Sequence, residues 1–226
     1  NTNFASGLFE GSGVSAINYA NTVYSIIVGV FVLSIANVIF PRLSRMSIDK
    51  DGESFSKTIS GTLEAMAFLI IPMTIGLMIL SEPVIKIIYQ RGKFDDFATE
   101  ITSRALFYFC LGMPGFGVQN ILSRAFYARQ KGKMPLVSGL ISIGVNIILC
   151  IALTDKMDVG GLAIASAVSQ TVAAIILFIP MQKENRIITS SFVKEIIKMC
   201  ISSVFMAVTV VVVKNAVSVY LTDGLI

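Results

Sequence analysis

The chain has 226 residues, of which 54% are hydrophobic and 14% charged, with a mean hydropathy of +0.79 and a formal net charge of +4. Soluble domains carry about 25% charged residues, so the polar side chains are too few to cover a water-facing exterior and the apolar ones must meet lipid. His is absent, which excludes imidazole base catalysis, Ser-His-Asp and Cys-His triads, and His-ligated metal sites within this chain.

A spanning helix needs about 20 apolar residues, because about 30 Å of hydrocarbon is crossed at about 1.5 Å per residue. Charge-poor windows of this kind fall at 14–40, 59–80, 104–123, 134–154, 159–182 and 197–214. The first ends at Pro41-Arg42, and the last is short but flanked by Lys198 and Lys214, whose heads can snorkel to the interfaces. The windows lack the alternation of barrel strands, so the expected fold is all-α, a polytopic helical bundle with about six spans. Residues 83–91, Pro-Val-Ile-Lys-Ile-Ile-Tyr-Gln-Arg, read as a short amphipathic helix at the interface, with Gly92 to end it. Gly139 and Gly144, and then Gly161, Ala165 and Ser169 at four-residue steps, favour close helix packing.

Lys and Arg sort unevenly across these spans. The loops holding Arg42 to Lys57, Arg124 to Lys133 and Lys183 to Lys198 carry twelve cations, and the alternate loops six. The positive-inside rule makes the twelve-cation side cytoplasmic and puts the N-terminus outside. This distribution does not form a basic patch, so no nucleic-acid partner is expected. Cys110, Cys150 and Cys200 stand apart in apolar stretches, without metal or redox spacing. No catalytic residue, metal ligand or cofactor is expected, and nothing at the N-terminus reads as a signal peptide.

The polar residues inside the spans are the candidate functional groups. Ser15, Asn18, Thr22 and Ser25 recur at three- and four-residue steps on the first span, with Tyr19 and Asn21 beside them, and form one polar stripe on an apolar helix. The stripe fits a cavity wall that hydrogen-bonds a polar head group; interhelical bonding inside the bundle is its competitor. A second set, Glu64, Asn146, Ser166 and Pro114, is read for ion binding or gating. Against that, Glu64 lies near one end of its span, where it can stay solvated, Asn146 and Ser166 could be a structural pair, and Pro114 among Gly112, Gly115 and Gly117 could be a packing bend. The loop from Arg124 to Lys133 combines four cations with two aromatics and reads as an anchor on an anionic leaflet, or as a hinge or gate.

Six motifs, in order along nearly the whole chain, resemble the MurJ/MviN lipid II flippases. They are Asn1-Thr-Asn-Phe-Ala-Ser-Gly-Leu8, Gly13-Val-Ser-Ala-Ile-Asn-Tyr-Ala-Asn21, Phe40-Pro-Arg-Leu-Ser44, Gln90-Arg-Gly-Lys-Phe94, Phe126-Tyr-Ala-Arg-Gln130 with Pro135, and Gly160-Gly-Leu-Ala-Ile-Ala-Ser166. The resemblance implies a MATE-like transporter of the multidrug/oligosaccharidyl-lipid/polysaccharide exporter superfamily, with about fourteen helices in two lobes. On that pattern residues 1–226 correspond to the second, C-terminal transmembrane lobe, and the first lobe is missing. The implied activity is translocation of an undecaprenyl-pyrophosphate-linked peptidoglycan precursor across the bacterial cytoplasmic membrane by alternating access. The implied partners are that precursor, membrane lipids and the N-terminal lobe. Arg suits a pyrophosphate, and the family has one after the Tyr-Ala-Asp/Asn stretch, where this sequence has Thr22. Another exporter of the same superfamily and a non-transporting membrane scaffold are the alternatives.

Overall fold

In the computed structural model, the described residues are 12–49, 51–92 and 94–223, with the side chains of 155, 185 and 217–223 left aside. The first motif, Asn1 to Leu8, and the cations Lys50 and Lys93 lie outside them. The described chain is helix joined by turns, without strands. We number the helices α1 (Ser12–Ile48), α2 (Gly52–Ile79), α3 (Ser81–Tyr89), α4 (Asp96–Cys110), α5 (Met113–Ala128), α6 (Lys133–Thr154), α7 (Lys156–Glu184) and α8 (Ser190–Asp223).

Five of these, α1, α2, α6, α7 and α8, are each long and apolar enough to cross a membrane, and the bent pair α4–α5 makes a sixth if taken as one span. The protein is thus an all-α membrane bundle. Helix α1 continues through Pro41 to Ile48, past the end of its apolar window. Pro41 is exposed, so the backbone carbonyl it leaves unbonded faces surroundings that can satisfy it. Helix α2 starts at Gly52, seven residues before its window at 59, because the Asp51 carboxylate accepts from Ser54 N–H at 3.0 Å and caps it. Helix α3 ends at Tyr89, and Gly92 takes a left-handed φ of 62° in the following turn, where a side chain would be strained.

The bend between α4 and α5 is 45°. It lies at Leu111–Gly112, and Pro114 starts the next helix rather than kinking its interior. The glycines around it serve packing: a Cβ on Gly112 would come within 2.8 Å of Ala167 Cα, and one on Gly115 within 2.9 Å of Thr171 Cα, both on α7. A Cβ on Gly117 would meet the side chain of Met66 on α2, a flexible end rather than backbone. Helices α6 and α7 form a hairpin whose kink is at Asp158 (φ 49°, ψ −131°), and Gly161 lets the returning arm close on the carbonyl of Leu153.

The core runs through the middle of the bundle. Ala16, Ala20 and Tyr24 of α1, Ile59, Met66 and Ile70 of α2, and Leu162, Ala165 and Leu177 of α7 belong to one buried cluster, in a bundle where α1 packs on α4, α2 on α5, and α7 closes the third side. Tyr24 is buried and donates to Gln170 Oε1 at 2.8 Å, tying α1 to α7. Helix α8 packs on α2, where Lys214 Nζ reaches the Ile79 carbonyl at 3.4 Å.

Candidate functional site

Helix α1 builds the candidate site from two unlike faces. Ala16, Ile17, Ala20, Val23 and Tyr24 are buried against the bundle, so the remaining positions of the same turns point away from it. Ser15, Asn18, Asn21, Thr22 and Ser25 all fall there, and all five are exposed. The Thr22 hydroxyl donates to the Asn18 carbonyl of its own helix at 2.8 Å. The stripe thus faces away from the packed side of the described bundle. Tyr19 lies at the side of the stripe, its ring 4.7 Å from Tyr89 and 5.6 Å from Phe94, so α3 and the turn after it lean on this helix.

One turn of α1, Gly29–Leu33, is a π-helix. It accommodates one extra residue without ending the helix and resets the phase of the turns below it. The buried series continues through Val28, Val32, Ala36 and Leu43, and the exposed series resumes at Ser34 and Asn37. A straight 3.6-residue period would turn Ser34 about 100° away from Ser15, which is why sequence periodicity does not join it to the stripe. Asn37 accepts from Arg124 Nη2 at 3.0 Å, and that guanidinium also stands 5.9 Å from the Phe40 ring. Beside this lower half of α1 runs a groove of about 610 Å³ shared with α2; its lining includes Ser34, Val38, Arg42, Lys57 and Gly61.

The second set of candidate residues is dispersed. Glu64 is half-buried on the lower part of α2 and lines a cavity of about 670 Å³ with Glu53, Lys57, Lys183, Glu184 and Arg186, which shares Lys57 and Gly61 with the groove. It therefore sits among charges of both signs at the end of the bundle. Asn146 donates to Ser169 Oγ at 3.5 Å, whereas Ser166 donates to the Leu162 carbonyl of its own helix. Two further serines of α6 cross to α7: Ser138 to the Ala173 carbonyl and Ser142 to the Ser169 carbonyl, both at 2.9 Å. These contacts form a ladder that holds the hairpin together. Among the described residues no group of three or more His, Cys, Asp or Glu could hold a metal ion.

The cation-rich loop after α5 is tied down by a residue that sequence reading passed over. Glu184 at the end of α7 takes Lys131 at 2.7 Å and Arg129 at 3.2 Å. Arg129 also lies 4.1 Å over the Phe55 ring at the start of α2. The loops after α1, α5 and α7 consequently meet at one end of the bundle, the same three loops that carry the twelve cations. Outside the spans, the Asp51 carboxyl is held below the usual carboxylate range, first by its hydrogen bonds from Ser54.

Against known proteins, the family model described as "Lipid II flippase MurJ" matches residues 1–225. The chain belongs to the MurJ family. A probable lipid II flippase MurJ of Rhizobium meliloti is 30% identical over 79% of this chain and 33% of its own length. The lipid II flippase MurJ of Thermosipho africanus is 27% identical over 92% of the chain and 39% of its own length. A solved structure of a lipid II flippase MurJ in an inward closed conformation superposes with a TM-score of 0.81 at 28% identity, covering 98% of this chain and 43% of the solved one. The chain thus spans about a third to two fifths of these MurJ relatives' length, with the fold of the matching part. MurJ proteins are transporters rather than enzymes.

Proposed function

We propose that this chain is the second lobe of a transporter that carries an undecaprenyl-pyrophosphate-linked peptidoglycan precursor across the bacterial inner membrane by alternating access. The observation that carries the reading is the outward stripe of α1: uncharged hydroxyls and amides displayed on the outside of a bundle whose opposite helix face is fully packed. Exposed amides at membrane depth are costly unless another polar surface or water meets them. A second lobe facing Ser15, Asn18, Thr22 and Ser25 across a polar cavity would satisfy them, and in such a cavity they would hydrogen-bond the sugar-peptide head group. The solved MurJ relative is in an inward closed conformation, a state that alternating access would include.

The proposed orientation rests on the end where the three basic loops meet. That end faces the cytoplasm and the start of α1 faces outside, by the positive-inside rule. In this frame Glu64 and the Glu184 cluster lie near the cytoplasmic mouth, and the α4–α5 bend nearer the outer half. We keep Glu64 and Pro114 as gating candidates and assign Asn146 and Ser166 to the α6–α7 hairpin.

The reading is tested in cells depleted of their own flippase and given the complete parent gene. Lipid II exposure at the outer surface is expected to return; normal membrane expression without restored exposure overturns it. A second reading, another exporter of the superfamily moving a less anionic cargo, is favoured by one observation: Thr22 stands where the family resemblance calls for Arg. Export of a polysaccharide-lipid by the same cells, with no lipid II exposure, would establish it.

A further inference from the structure

The groove between the lower half of α1 and the first half of α2 has a chemistry that the outward stripe lacks. Its walls include Ile35, Val38, Ile39 and Ala65, and Arg42 and Lys57 stand among them. The two threonine hydroxyls in the groove are already engaged: Thr62 donates to the Thr58 carbonyl at 2.7 Å, and Thr58 contacts Met46 Sδ at 3.5 Å. Lys57 bridges Glu53 at 2.7 Å, but both side chains are more than 70% exposed, and so open a pair is easily exchanged for a better anion. Gly61 leaves the floor clear, since a Cβ there would meet nothing within 4 Å.

Both helices are long and apolar enough to cross a membrane, so the apolar walls stand at acyl-chain depth while the cations stand toward the end of the bundle. A soluble anion would use the cations and leave the walls wet; an uncharged chain would use the walls and leave the cations unpaired. A molecule with an anionic phosphate above an acyl chain satisfies both. The charge also discriminates among such molecules, because Arg42 and Lys57, with the Glu53 carboxylate close by, balance the single charge of a phosphodiester better than a pyrophosphate. The volume, about 610 Å³, lies within the roughly 300–1,000 Å³ typical of small-molecule sites, and basic pockets between transmembrane helices are known devices for anionic head groups.

We propose that this groove is a binding site for one anionic glycerophospholipid of the surrounding bilayer, its phosphate between Arg42 and Lys57 and its acyl chain along Val38, Ile39 and Ala65. The site is separate from the stripe on which transport is read, although Ser34 borders both.

The test uses the purified full-length parent protein and native mass spectrometry with added phosphatidylglycerol or phosphatidylcholine. The wild type is expected to retain phosphatidylglycerol at least tenfold more strongly. The Arg42→Gln/Lys57→Gln double variant loses that preference. Gly61→Leu, which fills the groove and leaves the charges in place, loses the bound lipid as well, with thermal unfolding of the lipid-free protein unchanged. A control that removes two cations elsewhere, Lys86→Gln/Arg91→Gln, keeps it. Retention of phosphatidylglycerol by both groove variants overturns the proposal, as does equal loss in the control. So does one-for-one displacement by a lipid-linked pyrophosphate that depends on Arg42 and Lys57, which would give the groove to the substrate. If the double variant fails to fold, Gly61→Leu alone decides.

Discussion

Helices α1 and α6 carry similar residues to opposite ends. Ser138, Ser142 and Asn146 on α6 recur every fourth residue and spend their polar groups on α7, whereas Ser15, Asn18, Thr22 and Ser25 on α1 recur at three- and four-residue steps and spend none on a neighbouring helix. Composition and period cannot separate the two. The difference is what lies beyond the hydroxyl: on α6 a backbone carbonyl of an adjacent helix, on α1 the outside of the bundle. A polar stripe in a membrane helix is therefore either a fastener or a surface, and only the packing of the opposite face tells which.

The comparison can be broken in graded steps. The fastened side depends on close approach, so Gly115→Leu, driven into the Thr171 backbone, is expected to have the largest effect, about 3 kcal/mol or more. It would be read as loss of monodisperse protein or a large fall in Tm in detergent. Next comes the ladder itself: Ser138→Ala removes a buried bond to Ala173 and is expected to cost about 0.6 kcal/mol, at most about 1.7, measured by unfolding in detergent or bicelles. Asn18→Ala on the outward face should change stability by less than about 0.5 kcal/mol yet reduce transport. Equal stability costs at Ser138 and Asn18 would erase the distinction between the two stripes.

Two further substitutions sharpen it. Thr22→Arg adds a charge where the family pattern has one; with expression unchanged, precursor transport by the complete protein is expected to shift, and a silent result would remove Thr22 from the cavity wall. The smallest effect is expected at Asp51. Its carboxyl titrates below its ordinary value because Ser54 hydrogen-bonds the ionised form. Its cap on α2 is therefore fully present above the ordinary carboxylate pKa and is lost as pH falls through the depressed one. Asp51→Ala should flatten the acid limb of stability slightly and leave neutral-pH transport alone.

Helix content was legible in the sequence because charges punctuate this chain. Apolar runs between Arg104 and Arg124, or Lys133 and Asp155, have no stable state in water and one obvious state in lipid. The ends were less legible. Helix α1 outruns Pro41 because that proline is exposed, and α2 starts early because Asp51 caps it, neither of which hydropathy registers. The glycines near Pro114 showed that something unusual happens there, but only the contacts with Ala167 and Thr171 identify it as tight packing. At the candidate site the stripe could be read from its spacing. Its direction, and its continuation to Ser34, could not, because a phase shift of one residue is invisible to a periodic pattern. Glu184 was passed over for a related reason: a lone acid after an apolar run gives no sign of the two cations that a turn 53 to 55 residues earlier delivers to it.

The π-turn in α1 also works as an index. Each α-helical residue advances the face by about 100°, and the extra residue in Gly29–Leu33 absorbs one such step. Deleting one residue there would leave a straight α-helix with Ala36 and Leu43 still toward the core and Ser34 still outside. A relative lacking the extra residue can thus present the same faces below the turn, and aligns with this chain across a one-residue gap placed there.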